Sequence, residues 1–184
     1  MSYSASHLAT VPASGFKWYL IFLEGSFTDE IRKEIDANFN TLGREVGKDV
    51  LVVRGLDPTE FRESVYEASA FLEKKWRERA RPPALIVINC APAEALGNPA
   101  NLEKCKLMIF SLADVYQEHK SISGFLTYLV DALKQEDALK ALETLDGDKL
   151  QKVWGWLSKY LTMEPSFYGF SINLDKVLKD LLAK

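Results

Sequence analysis

The chain has 184 residues, about one domain's length, with 47% apolar, 11% aromatic and 27% charged residues. That composition excludes wholesale disorder, collagen-like repetition and a disulfide-stapled miniprotein. Lys and Arg total 23 against 26 Asp and Glu, a net charge of −3, so the chain as a whole does not favour nucleic acid or an anionic membrane.

The opening segment, 1–14, carries no Lys or Arg and no continuous apolar run. It reads as a flexible lead-in rather than a secretory signal. No stretch approaches the roughly 20 apolar residues of a membrane span. Cys90 and Cys105 lack metal-ligand spacing with His7 and His119, and two cysteines are too few for a secreted framework. The expected setting is a reduced, cytoplasmic one, with no metal and no cofactor.

Three short apolar runs follow in order: Trp18 to Leu23, Val50 to Val53 and Ala84 to Ile88. None alternates with polar residues, so each is expected to be buried on both faces, as in a parallel sheet covered by helices. Between the runs lie two helical patterns. Ile31, Ile35, Phe39, Leu42 and Val46 form one stripe at helical spacing, and Phe61, Val65, Ala68, Leu72 and Trp76 form another. The second helix starts with Asp57 as N-cap, Pro58 at its first position and Glu60 at its third. Strand–helix–strand–helix–strand then implies two right-handed crossovers and neighbouring parallel strands.

Beyond Cys90, residues 91–97 read as a loop, and Asn98-Pro99 opens a helix. The stripe Leu102, Cys105, Ile109, Leu112 and Tyr116 favours helix across 106–112, although Leu-Met-Ile-Phe in its middle also fits a strand. Helices are expected at about 122–135, 137–145 and 149–161. Phe167 to Ile172 reads as a returning strand, and Asn173 caps a last helix. The expected fold is α/β, a three-layer sandwich with a mainly parallel sheet. Its parts are a βαβαβ core over 15–97, a helical insertion over 98–162 and a closing strand and helix over 163–184, all in one domain. A separate helical bundle is the alternative.

In an open parallel sheet, ligands bind beyond the carboxyl ends of strands. Those ends carry Glu24, Ser26, Arg54, Asn89 and Cys90, a set suited to a small anion or nucleotide, with Arg54 as clamp. The plain alternative is that Ser26 and Asp57 cap helices and Arg54 pairs with Glu24. A single glycine, Gly25, after the first strand excludes the dinucleotide fingerprint, and the phosphate-cradling lysine loop is missing. Cys90 with His119 would make a nucleophile–base pair, but no orienting third group is visible, and a buried, unreactive Cys90 with a solvent-exposed His119 is the expected arrangement. Asp146 and Asp148 lack the further ligands of a calcium loop and read as caps. The basic run from Lys74 to Arg81 has five cations in eight residues, yet it sits at a helix end, where cations favour the dipole.

Pro82-Pro83 ahead of the third run resembles the thioredoxin order of elements. The redox position reads Gly25-Ser26-Phe27-Thr28 without cysteine, and no hairpin partner is read after the third strand. The function expected is therefore a non-catalytic binding or regulatory module acting through protein–protein contacts, with self-association as one mode. Trp156, Phe125 and Tyr128 are the interface candidates, because the helical half carries more large apolar residues than one stripe per helix uses. A ligand-binding protein or enzyme using the strand-end rim is the alternative. Neither a membrane nor nucleic acid is expected as partner.

Overall fold

A computed structural model of the chain describes residues 1–25, 29–72, 78, 80–105 and 107–134. Five strands and six helices lie within them. In chain order they are β1 (Ser2–Ala5), β2 (Trp18–Leu23), α1 (Asp29–Glu45), β3 (Val50–Gly55), α2 (Pro58–Ala68), β4 (Ala84–Ile88), α3 (Pro92–Leu96), α4 (Pro99–Leu102), β5 (Leu107–Ser111), α5 (Leu112–His119) and α6 (Ser123–Lys134). A 3-10 turn at Leu8–Thr10 follows β1. The fold is of the α/β class, built on one open, mixed sheet of order β1-β3-β2-β4-β5.

β1 and β2 both run parallel to β3, with Ser2 beside Val52 and Leu20 beside Val52 on the other side. This is the expected crossover, with α1 as its helix. The expected parallel course of the third apolar run is corrected: β4 runs antiparallel to β2, pairing Leu23 with Ala84 and Tyr19 with Ile88. An apolar run without alternation reports that both faces are covered, and a central strand of a mixed sheet meets that condition in either direction.

Residues 106–112 also need correction. Leu107–Ser111 is strand β5, antiparallel to β4, with Met108 opposite Val87 and Phe110 opposite Leu85. Its helical-looking stripe is coincidental, because Met108 and Phe110 face one core and Leu107 and Ile109 the other. β5 is thus the hairpin partner that the sequence reading did not find. Two further segments differ from expectation. Residues 1–14, read as a flexible lead-in, supply β1 and the 3-10 turn. The loop expected at 91–97 contains α3.

Both faces of the sheet are buried, and alternation along the strands divides the core. Leu20, Phe22, Val50, Val52, Leu85 and Val87 point toward α1, α5 and α6, meeting Ile35, Phe39, Val115 and Phe125. Tyr19, Ile21, Leu51, Val53, Ile86 and Ile88 point the other way, toward α2 and the α3–α4 connection, meeting Phe61, Val65, Leu96 and Leu102. The helix starts follow the sequence: Asp57 accepts the N–H groups of Thr59 and Glu60 at 2.8 and 2.9 Å, and Asn98 accepts that of Ala100 at 3.0 Å. Among the described residues, no helix is long and apolar enough to cross a membrane. The elements expected beyond 134, including the returning strand, lie outside the described residues.

Candidate functional site

Parallel pairing of β2 and β3 brings their carboxyl ends to one rim of the sheet. β2 ends there at Leu23, with Glu24 following it, and Arg54 and Gly55 end β3. Because β4 runs the other way, this rim receives its start instead, with Pro82 and Pro83, and the end of β5 at Ser111. Gly25 makes the fit possible: a Cβ there would lie 2.6 Å from Pro82 Cβ. Only a glycine lets the turn ahead of β4 close over the end of β2.

Glu24 and Arg54 continue the even-numbered positions of their strands and so face α1. Arg54 does not pair with Glu24. Its Nη1 lies 2.7 Å from Asp36 Oδ1, and its guanidinium carbon stands 4.4 Å from the centre of the Phe39 ring. Phe39 belongs to the core stripe of α1, and Asp36 lies one turn before it, so a regular helix positions both contacts. Arg32, a turn earlier still, approaches Asp36 Oδ2 at 3.9 Å.

Glu24 is 6% exposed. Among the described residues, the other buried polar side chains are satisfied: Ser64 donates to Phe61 O at 2.6 Å and accepts from Leu8 N–H at 2.9 Å, and Ser69 donates to Val65 O at 2.7 Å. Among the described residues, only Glu24 Oε1 is a buried side-chain polar atom without a hydrogen bond. Burial pushes the Glu24 carboxyl above the ordinary carboxylate range; Asp36 adds to that rise, while Arg54 and Arg32 oppose it. Perturbed carboxyls without partners gather at binding and catalytic sites. Leu56, the next residue on this rim, is 68% exposed, and its N–H is held by Ala5 O at 2.8 Å.

The structure therefore keeps Glu24 and Arg54 together, adds Asp36, and separates both from Asn89 and Cys90. Those two residues follow the end of β4, which points to the opposite rim. The error follows directly from the direction of β4. Cys90 is also not a free thiol: a disulfide joins it to Cys105. The expectation of two reduced cysteines is corrected, and the Cys90–His119 pair, already disfavoured on the sequence, is removed with it. Phe125 is 2% exposed and its ring meets that of Phe110 edge-on at 5.1 Å, so it is core rather than interface. Ser26 and Trp156 lie outside the described residues, as do the side chains of His119 and Tyr128. Among the described residues, no three His, Cys, Asp or Glu side chains gather as a metal site.

Asp36 and the Cys105 partnership were missed by sequence reasoning. Asp36 carried a signal: it sits four residues after Arg32 and three before the core position Phe39. Comparison of the chain with protein-family models, curated proteins and solved structures finds no match.

Proposed function

We propose that the chain is a non-catalytic binding or regulatory module that acts through protein–protein contacts, and that its contact surface is the β2/β3 carboxyl-end rim. The observation that carries this reading is Glu24, buried at the end of β2 with its Oε1 lacking a hydrogen bond. A partner that displaces the residues covering this oxygen and brings a donor would satisfy it. Beside it, exposed Leu56 supplies apolar contact and the Arg54–Asp36–Arg32 chain supplies charge, a combination suited to an interface. The finer architecture belongs to the same reading: a single-domain, three-layer sandwich in which the β4–β5 hairpin supports a thioredoxin-like element order without the redox cysteines. The setting we propose is cytoplasmic.

A second reading, a small anionic ligand on the rim, is favoured by Arg54, whose guanidinium has further donors beyond the one engaged by Asp36. Thermal shift of the full chain against nucleotides and sugar phosphates separates the two. A ligand at 100 times its Kd adds about 2.7 kcal/mol, and loss of that shift in Arg54→Ala supports the ligand reading. Light scattering at tens of micromolar tests self-association. A dimer abolished by Leu56→Asp supports the rim, whereas one abolished by Trp156→Ala moves the contact to the helical half. A monomer throughout rules out self-association.

A further inference from the structure

The sequence holds two cysteines, Cys90 and Cys105, and both lie at the rim opposite Glu24. Cys90 follows the end of β4 and Cys105 stands just ahead of β5. A disulfide joins them across 15 residues, with Cα atoms 5.9 Å apart. The bond closes the α3–α4 connection into a ring. The ring also has anchors of its own. Ala95, Leu96 and Leu102 are buried in the core face that holds Ile86 and Ile88. Asn98 caps α4, and Asn101 Nδ2 donates to Glu94 O at 3.2 Å. Opening the bond would leave those anchors in place and release only the ends of the connection.

Both cysteines are half-buried rather than sealed in the core. Cys105 lies between Lys104 and Lys106 in the sequence. Neighbouring cations favour the thiolate, the form that attacks a disulfide. A local bond whose loop also has core contacts and a helix cap of its own differs from the staple of a small secreted domain.

We propose that Cys90 and Cys105 are a reversible redox site that exchanges with low-molecular-weight disulfides of the glutathione class and clamps or frees the two ends of the α3–α4 connection. In the oxidising direction the Cys105 thiolate attacks one sulfur of the external disulfide. The external S–S bond breaks, a mixed disulfide forms on Cys105, and one small thiolate leaves. The Cys90 thiolate then attacks Cys105 Sγ, forming the Cys90–Cys105 bond and expelling the second small thiolate. Two electrons pass from the protein dithiol to the external disulfide. The two protons lost by the cysteines end on the two small thiols. Reduction by an external thiol runs the same steps in reverse.

The full chain, equilibrated in glutathione buffers of stepped reduced-to-oxidised ratio, is quenched with an alkylating reagent and weighed intact. The expected result is a transition between two labels and none at a finite ratio. The reduced protein should still melt cooperatively, with Tm lowered by about 6–12 °C for a ring of this size. Single-cysteine variants test the order of attack. With oxidised glutathione, Cys90→Ser should form its mixed disulfide at Cys105 at least about tenfold faster than Cys105→Ser forms one at Cys90. A disulfide that survives excess reduced thiol in the folded protein overturns the proposal, as do two free thiols at every ratio. A reduced protein that no longer melts cooperatively identifies a structural staple, and an unchanged Tm removes the clamp. Equal or reversed rates in the single-cysteine variants would overturn the assigned order of attack.

Discussion

The Glu34 carboxylate on α1 accepts the backbone N–H of Ile122 at 2.6 Å, across 88 residues of sequence. The same oxygen takes the Ser121 hydroxyl at 3.2 Å and the Ser123 N–H at 3.3 Å, so a side chain from one helix caps the start of another, α6. Asn38, one turn further along α1, donates to Ser123 Oγ at 2.9 Å. Glu34→Ala should lower stability by about 1–2 kcal/mol, as loss of a cap does. Glu34→Gln, which keeps an acceptor, should lose less. Urea unfolding measures both, and amide exchange at Ile122 and Ser123 should quicken in the alanine variant. Equal midpoints for all three proteins would show that the cap is energetically idle.

This cap also marks what the sequence could not convey. Periodicity located α1, α2 and three buried strands, because the stripe Ile31–Ile35–Phe39–Leu42 and the run Trp18 to Leu23 are set by local geometry. It could not supply the direction of β4, which depends on a connection whose residues carry no handedness signal. From that one undetermined direction came the misplacement of Asn89 and Cys90. β5 was hidden for a related reason: a strand of five residues offers too few positions to tell period 2 from period 3.6. At the rim, Glu24 and Arg54 were legible as charges beside buried strands. Asp36 as partner of Arg54 was not, since that pairing spans 18 residues and needs α1 docked on the sheet.

Gly43 gives a test in which packing reverses a propensity. It lies within α1, where Ala is favoured over Gly by about 1 kcal/mol. Yet a Cβ at Gly43 would come within 2.5 Å of Ser2 N and 2.6 Å of Ser2 Cβ, at the start of edge strand β1. Gly43→Ala should therefore destabilise by about 1–3 kcal/mol, the usual range for overpacking. Thermal or urea unfolding reads the sign directly. A stabilised variant would mean that β1 is not held against α1 at Ser2.

Phe125 separates core from interface. Its ring packs edge-on against Phe110 at 5.1 Å, within the cluster that includes Leu112, Val115 and Leu129. Phe125→Ala should cost about 3–5 kcal/mol and leave the oligomeric state of the folded protein unchanged. Denaturation and light scattering on the same sample check both halves. A small stability loss accompanied by a change of assembly would return Phe125 to the interface.

Glu24 makes a pH prediction with a definite sign. Its carboxyl is raised in the folded protein, chiefly by burial. Well below the ordinary carboxylate range both folded and unfolded chains hold the proton, and the residue contributes no pH dependence. Between the ordinary range and its raised value, the unfolded chain has lost a proton that the folded one retains. Stability therefore falls as pH rises through that window, and the loss is complete above it. Other carboxylates, Asp36 among them, have their own effects, so the quantity to measure is the difference between wild type and Glu24→Gln. That variant keeps the shape, removes the titration, and leaves Arg54 with Asp36. It should be more stable than wild type by about 1–2 kcal/mol near neutral pH, because a buried amide is cheaper to leave unpaired than a buried carboxylate. The advantage should shrink toward zero in acid. Urea unfolding of both proteins at steps from about pH 4 to 8 gives the two curves. A wild type that gains on the variant as pH rises would show instead that Glu24 is charge-paired in the folded chain, and the rim would then lack the unmet acceptor on which a partner could act.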